Sequence, residues 1–370
     1  MVRSHRTPSR FFHHLLASTG MYGRSSGRTR ILLRAVLLPT ILVLLPSCNT
    51  GNPGGPSDSL PTLPITSRSY EVGIAGLVAR NDPDPSDQDF LDFLDELPLM
   101  GERSGLYVPW DSTHTVADQV GLITTYSDVA ALAGVGFDFE NLDAAYFADH
   151  GDDFKSVALA LVDEFDLEYL AIGIEVNRVR DEFSQELFDD FVELYRETYD
   201  AVKAASPGTK VFTVFQLDYL RGAARLSGLD LEPSWEMLDL FDGKLDAVGF
   251  TVYPLLEYAS VSEIPSGYFV EIGEHTDLPI IITESGWLSE PFSVGGLEVI
   301  SGSEQEQVDF VLALISGVES LDVEILMYSF LYEYGEGIDV FRHTALRENA
   351  GPAKEAYWYW RALAELPQTQ

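Results

Sequence analysis

The stretch Ile280-Ile281-Ile282-Thr283-Glu284-Ser285-Gly286-Trp287 decides how this sequence is interpreted. Three consecutive isoleucines are typical of a strand buried on both faces, as in a parallel sheet covered by helices. The run ends on a carboxylate, and a charge directly after a buried strand is costly unless it is paired or used. A second run, Ala171-Ile172-Gly173-Ile174-Glu175-Val176-Asn177, has the same form. The two glutamates therefore indicate two strand ends that carry chemistry.

Apolar runs alternate with helical patterns from about residue 69 onward, which favours βα units around a parallel sheet. Amphipathic spacing predicts helices over Leu187–Ala205 and Gln305–Val318, and a long loop is expected from Ser127 to Phe154. The predicted strands are Glu71–Val78, Gly105–Trp110, Gly121–Thr125, Tyr169–Ile174, Lys210–Phe215, Ala247–Val252, Pro279–Thr283 and Glu324–Phe330. This pattern predicts an α/β fold of the (β/α)8 TIM-barrel type. An open doubly wound sheet is the alternative, but no glycine-rich phosphate loop follows the first strand.

The N-terminal region predicts export. Residues 1–47 contain seven arginines and no acidic residue, and their apolar run from Ile31 to Leu45 is too short for a membrane-spanning helix. Leu45-Pro46-Ser47-Cys48 follows, and Cys48 is the only cysteine of the chain. This arrangement resembles the bacterial lipobox, which implies that Cys48 is lipidated and anchors the exported protein to a bacterial membrane, at the cell surface or the periplasmic face. An ordinary signal peptide is the alternative.

The composition divides the chain into three segments. We expect a signal peptide over 1–47, a tether rich in glycine, proline and serine over 48–67, and one barrel domain over 68–366. The chain has 23 basic and 59 acidic residues; without the seven arginines of the signal, 16 basic residues remain and the net charge is −43. Such a charge repels nucleic acid and anionic membrane surfaces. We therefore expect no nucleic-acid partner, and membrane contact only through the lipid.

The strand ends resemble those of a known group of enzymes, the clan of retaining (β/α)8 glycoside hydrolases that includes cellulases, β-mannanases and endo-β-1,4-galactanases. In that clan a glutamate closing strand four is the acid/base and one closing strand seven is the nucleophile, which implies these roles for Glu175 and Glu284. Ile282 to Trp287 is similar to the nucleophile motif. Gly249-Phe250-Thr251-Val252-Tyr253-Pro254 resembles strand six, whose terminal tyrosine hydrogen-bonds the nucleophile. The resemblance implies two-carboxylate double displacement on a neutral β-linked poly- or oligosaccharide.

Several further residues follow predicted strand ends and are candidates for binding substrate. They are Tyr253, Asn177, Gln216 and the aromatic residues Trp110 and Trp287, and Tyr332 and Tyr334 are further aromatic candidates. Asp218 also follows strand five, but we expect it to lie in a solvated loop.

Two departures from the clan pattern leave a non-catalytic role open. Ile174 stands where most members carry the asparagine that binds the sugar 2-hydroxyl, and Asn177 is the nearest substitute. Strand two ends on Trp110-Asp111 without the expected arginine, for which Arg80 is the nearest candidate. A glycan-binding or scaffold lipoprotein built on a degenerate barrel is therefore the alternative to a hydrolase.

Other kinds of site find little support in the sequence. The acidic stretch from Asp82 to Asp89 lacks the glycine and the distal glutamate of an EF-hand loop, and the histidines form no His-x-x-x-His pair. No G-x-S-x-G elbow is present. We expect no metal and no cofactor.

Overall fold

The computed structural model describes residues 60–75, 88–110, 117, 132–137, 142–143, 145–333, 339–348 and 351–369. The predicted signal peptide, Cys48, Arg80, Tyr334 and the predicted strand Gly121–Thr125 lie outside these residues. Among the described helices, none is both long and apolar enough to cross a membrane.

A sheet of parallel strands forms the centre of the molecule. In chain order its strands are β1 (Glu71–Ala75), β2 (Arg103–Trp110), β3 (Leu132–Phe137), β4 (Tyr169–Ile172), β5 (Lys210–Phe212), β6 (Val214–Gln216), β7 (Val248–Val252), β8 (Ile280–Ser285) and β11 (Val323–Ser329). They are hydrogen-bonded in the order β5-β4-β3-β2-β1-β11-β8-β7-β6. Since only Thr213 separates β5 from β6, these two form one strand that pairs with β4 at its start and β7 at its end. The sheet is therefore a closed eight-stranded barrel, which confirms the predicted (β/α)8 fold.

Helices pack around the outside of the barrel. They are α1 (Gln88–Glu96), α2 (Tyr146–Glu164), α3 (Gln185–Ala205), α4 (Leu217–Leu220), α5 (Glu304–Val318) and α6 (Glu355–Ala364). Short helical turns cover Leu97–Leu99, Val179–Phe183, Arg225–Ser227, Trp235–Phe241, Pro254–Leu256, Val261–Glu263, Val270–Glu274 and Asp339–Phe341, and β9 (Phe292–Val294) pairs with β10 (Leu297–Ile300) in a hairpin. The Ser184 and Ser303 hydroxyls accept from the third following amide and begin α3 and α5. Both predicted helices are confirmed.

Two separate apolar cores hold the barrel together. A small interior core fills the barrel, and its members are Ala75, Leu132, Tyr169, Ala171, Phe212, Val214, Ala247, Ile281, Ile325 and Met327. A larger core lies between the strands and the helices, where alternate strand residues such as Ile280 and Ile282 meet buried helix faces. Gly249 has no side chain because a Cβ there would lie 2.8 Å from Val214 and 2.9 Å from Phe212 of the interior core. The isoleucine run is thus buried on both faces, as its sequence predicted.

The expected long loop from Ser127 to Phe154 is wrong. β3 occupies Leu132–Phe137 within that range and pairs with both β2 and β4, and α2 begins at Tyr146. The segment Leu132-Ala-Gly-Val-Gly-Phe137 contains two glycines, which weaken the sequence signature of a strand. Its pairing with two neighbours, rather than its intrinsic propensity, makes it a strand.

Candidate active site

Glu175 and Glu284 lie at the carboxyl ends of parallel strands, on one rim of the barrel. Glu284 is within β8, and Glu175 follows β4 by three residues. Thr251 of β7 connects them, because its backbone is the register partner of Glu284 and its hydroxyl donates to Glu175 Oε1 at 2.8 Å. The two carboxylates that the sequence singled out therefore lie on the same rim and are linked through one residue of β7.

Glu284 is buried and is held by one tyrosine. Only 4% of the residue is exposed, and its Oε2 accepts a hydrogen bond of 2.7 Å from the Tyr253 hydroxyl. The same hydroxyl lies 2.6 Å from Ser329 Oγ at the end of β11. Since a phenol has one proton, Ser329 donates to Tyr253 and Tyr253 donates to Glu284. The Glu284 carboxylate is therefore oriented by residues from the two strands that flank β8, namely Tyr253 after β7 and Ser329 of β11.

Burial and charge set the protonation state of Glu284. Burial raises the pKa of the Glu284 carboxyl to about 8, and the negative charge of Glu175 adds to this rise, whereas the hydrogen bond from Tyr253 opposes it. Burial and the nearby Glu284 charge also raise the pKa of Tyr253 well above its usual range, so this phenol is a neutral donor.

Glu175 is held at both oxygens in an unusual backbone conformation. Its φ angle is +55°, a left-handed value that costs a non-glycine residue about 1–2 kcal/mol. Gly173, two residues earlier, has φ +81° and prepares this turn at low cost. Thr251 holds Oε1, and Arg178 Nη1 donates to Oε2 at 2.5 Å. Backbone strain of this kind often occurs at functional sites.

The side chains of Asn177 and Gln216 form hydrogen bonds inside the protein. The Asn177 amide donates to the Gln216 carbonyl at 2.9 Å and accepts from the Gln216 amide at 2.8 Å, so it pairs with β6 as another strand residue would. The Gln216 side chain donates to Asp218 at 2.9 Å and accepts from the Tyr219 amide at 2.8 Å. Both residues are essentially fully buried. In this conformation neither presents a free group to a sugar.

The aromatic candidates are divided between the core and the rim. Trp287 is completely buried, stacks on Phe310 of α5 with ring centroids 6.2 Å apart, and donates to Glu306. It offers no accessible face to a ligand here. Tyr332 lies at the start of the loop after β11, and its hydroxyl donates to Glu96. Trp110 is the last residue of β2, and its side chain lies outside the described part of the chain.

Asp218 is not in a solvated loop, and that expectation is wrong. It is fully buried, and its two oxygens accept from Gln216 and, at 2.8 Å, from the Tyr268 hydroxyl. Burial raises the pKa of the Asp218 carboxyl to about 7. A single sequence gave no indication that the short helix α4 would turn this carboxylate inward against Tyr268.

Three residues that hold the two glutamates or Tyr253 were not singled out from the sequence: Thr251, Arg178 and Ser329. Thr251 lies within β7, two residues before the tyrosine that the clan resemblance singled out, and this proximity was a usable indication. Arg178 lies one helical turn after Glu175. Ser329 ends β11 and shows no sequence feature that marks it.

Ile174 takes part in the barrel core rather than in the rim. It packs against the interior core as a partly buried side chain. The position before Glu175 therefore supplies apolar packing, where a polar ligand to the sugar was expected. Among the described residues, no group of histidine, cysteine and carboxylate side chains is arranged to hold a metal ion.

Comparisons with known proteins identify the barrel but not a family. No family model matches the chain, and no curated protein matches it in sequence. The chain is similar in structure to the GH53 catalytic domain of Ignisphaera aggregans, with a TM-score of 0.54, 15% identity, and coverage of 83% of this chain and 99% of that domain. It is also similar to GH5_18 from Streptomyces cattleya in complex with GlcNAc, with a TM-score of 0.56, 14% identity, and coverage of 81% and 80%.

A third similar structure is the β-D-glucuronidase of Dictyoglomus thermophilum, with a TM-score of 0.54, 11% identity, and coverage of 82% of this chain and 52% of that protein. These neighbours are glycoside hydrolases, and the chain shares their α/β barrel. Identities this low show the fold, so the chemistry must be argued from the site itself.

Proposed function

We propose that this protein is a retaining glycoside hydrolase that cleaves a neutral β-linked poly- or oligosaccharide, with Glu284 as nucleophile and Glu175 as acid/base. The observation that carries the proposal is the arrangement of two carboxylates on one barrel rim, joined through Thr251 and coupled in charge. The Tyr253 hydrogen bond to Glu284 supports the nucleophile role, because it orients one oxygen and leaves the other without a partner among the described residues. The barrel shared with glycoside hydrolases is consistent with this proposal.

The proposed reaction has two steps. In the first, the Glu284 carboxylate attacks the anomeric carbon, the glycosidic C–O bond breaks, and Glu175 gives its proton to the departing oxygen. In the second, Glu175 takes a proton from water, whose oxygen attacks the anomeric carbon and displaces Glu284. The raised pKa of Glu284 means that a proton resides there in the free protein at neutral pH. The reactive form is the one in which Glu284 is ionised and Glu175 carries a proton.

Purified protein incubated with galactan, mannan and cellulose tests the proposal by release of reducing ends. We expect wild-type activity on at least one polymer and its loss in E284A and in E175A. Proton NMR of the first-formed product should show the β anomer. Full activity of E284A would exclude Glu284 as nucleophile, and an α product would indicate inversion.

A non-catalytic glycan-binding protein is the second candidate function. Ile174 in the barrel core and Asn177 bound to β6 both remove polar groups that a sugar would contact next to Glu175. Retention of the same polysaccharides on affinity gels, without any reducing-end release, would favour this function over hydrolysis.

We also propose that the protein is exported and anchored through a lipid on Cys48, with residues 48–67 as a tether. The lipobox-like sequence and the single cysteine support this proposal. Metabolic labelling with palmitate should mark the wild-type chain and not C48S. Equal labelling of both would exclude Cys48 as the lipid site.

A further inference from the structure

A buried arginine lies behind Glu175. Arg178 is only 2% exposed, and its backbone amide donates to the Glu175 carbonyl at 3.0 Å, which forms a tight turn after β4. A single π-helical turn, Val179–Phe183, follows and brings Glu182 onto the same guanidinium. A charge removed from water in this way requires partners, and among the described residues Glu175 and Glu182 both contact the Arg178 guanidinium.

Glu182 binds Arg178 more fully than Glu175 does. Arg178 Nε donates to Glu182 Oε1 at 2.7 Å and Nη2 to Oε2 at 3.3 Å, whereas one contact, from Nη1, goes to Glu175. The Tyr219 hydroxyl also donates to Glu182 at 2.8 Å, and its ring lies 5.9 Å from the guanidinium carbon. The two-point contact makes Glu182 the main counter-ion of Arg178.

This division of contacts matters for an acid/base group. If Arg178 had Glu175 as its sole counter-ion, protonation of Glu175 would leave a buried cation unpaired, at a large cost in free energy. With Glu182 in place, the Arg178–Glu182 pair stays neutral while Glu175 gains or loses a proton. Arg178 therefore orients the Glu175 carboxylate without fixing its ionisation state.

The loop itself is anchored by other residues. Asn177 pairs with the Gln216 backbone, and the Val176 amide donates to the Val214 carbonyl at 3.0 Å. These contacts fix the chain after β4 to the neighbouring strand β6. The Arg178 side chain thus contacts Glu175 in addition to the contacts that anchor the loop to β6.

We propose that Arg178 is a positioning residue for the acid/base glutamate, and that Glu182 neutralises it so that Glu175 remains free to exchange its proton. This inference rests on the proposed hydrolase function. It predicts that the Arg178–Glu182 pair supports proton donation to the leaving group more than it supports binding or nucleophilic attack.

Leaving-group dependence tests the proposal. We compare kcat/KM, which reports bond cleavage, on 2,4-dinitrophenyl and 4-methoxyphenyl β-glycosides of galactose, mannose and glucose. A dinitrophenolate leaves without a proton, whereas a methoxyphenol needs one. General acid catalysis contributes about 10²–10⁴-fold, so R178M and E182Q should lower kcat/KM about 100-fold on the methoxyphenyl substrate and only a few-fold on the dinitrophenyl substrate. R178K keeps the charge and should recover part of the loss.

The chain contains a matched control. Arg221 also lies between two glutamates, Glu257 and Glu271, and its guanidinium carbon is 4.4 Å from the ring centre of Tyr268. It has no described contact with Glu175 or Glu284. R221M should therefore change kcat/KM on both substrates by the same factor, even if it lowers stability.

Two outcomes would overturn the role of Arg178: equal losses on both substrates in R178M and R178K, or no loss in either. Wild-type protein that cleaves none of these glycosides and releases no reducing ends from galactan, mannan or cellulose would instead contradict the hydrolase. A crystal structure of R178M, or of R178K if R178M does not fold, then decides the positioning role by itself. The Glu175 carboxylate should leave the Thr251 hydroxyl, and an unmoved carboxylate would exclude the proposal.

Discussion

The Tyr253 hydroxyl donates to Glu284 at 2.7 Å and receives a hydrogen bond from Ser329, so a tyrosine at the end of β7 controls a carboxylate at the end of β8. This relationship follows from strand order, since β7 and β8 are neighbours and their carboxyl ends meet at one rim. The hydrogen bond stabilises the ionised form of Glu284 against burial and against the charge of Glu175. Tyr253 is therefore the one described hydrogen-bond donor that lowers the pKa of Glu284 against these two effects.

Y253F should lower activity and shift its pH dependence. Loss of the donor raises the pKa of Glu284 further above about 8, so a smaller fraction of this proposed nucleophile is ionised. A hydrogen bond to a charged group contributes about 1.5–3 kcal/mol, so kcat/KM should fall about 10- to 150-fold. The limb of the kcat/KM profile at which Glu284 loses its proton, the alkaline limb, should move to higher pH.

Y328F is the matched control for this prediction. Tyr328 is an equally buried tyrosine on β11, but its hydroxyl donates to the Thr344 backbone at 3.0 Å. Y328F should leave the alkaline limb where it is in the wild type. A Y253F profile that superimposes on the wild-type profile would contradict the assignment of Glu284 to that limb.

E284Q should stabilise the fold at alkaline pH. The pKa of Glu284 rises from 4.5 to about 8 on folding, so below pH 4.5 the carboxyl is protonated in both states and costs nothing. Between these two pH values the Glu284 carboxyl is ionised in the unfolded chain and protonated in the folded chain. The free energy of unfolding of the wild type therefore falls by up to about 1.4 kcal/mol per pH unit. The advantage of E284Q in urea unfolding should therefore grow from pH 4.5 to 8 and then level off.

The same comparison in an E175Q background provides the control. Removal of the Glu175 charge lowers the pKa of Glu284, so the growth of the E284Q advantage with pH should be smaller. A difference between E284Q and wild type that does not depend on pH would show that Glu284 ionises equally in both states.

The sequence predicted the barrel and its two glutamates because both depend on local patterns. The isoleucine run before Glu284 and the matching run before Glu175 place each carboxylate at a strand end, and closure of the barrel places both on one rim. β3 was missed because pairing with β2 and β4, which no local pattern encodes, selects it. The directions of side chains that follow a strand end could also not be predicted from the sequence, because such residues do not continue the alternation of the strand. Asn177 and Trp287 therefore turned into the protein rather than toward the rim.

N177A should cost stability more than substrate affinity. Asn177 satisfies the buried amide and carbonyl of Gln216, and each unpaired buried group costs about 1–3 kcal/mol. We expect a lower free energy of unfolding in urea and little change in KM for the folded fraction. A sugar-binding role would give the reverse result, with unchanged stability and a raised KM.

T251V should impair Glu175, the proposed acid/base group, while leaving the fold intact. Thr251 is fully buried, and its hydroxyl gives Glu175 the contact that sets the carboxylate between β4 and β7. Valine keeps the shape and the strand preference but cannot donate, so kcat/KM on a 4-methoxyphenyl glycoside should fall about tenfold or more, the effect of one hydrogen bond to a charged group. T251S retains the donor and should keep most of the activity.

T198V provides the control, because the Thr198 hydroxyl is buried in α3 and donates to the Leu194 carbonyl at 2.7 Å, away from either glutamate. Equal rates for T251V and T251S would mean that the hydroxyl does not direct Glu175, and the orientation of that carboxylate would then depend on Arg178 alone.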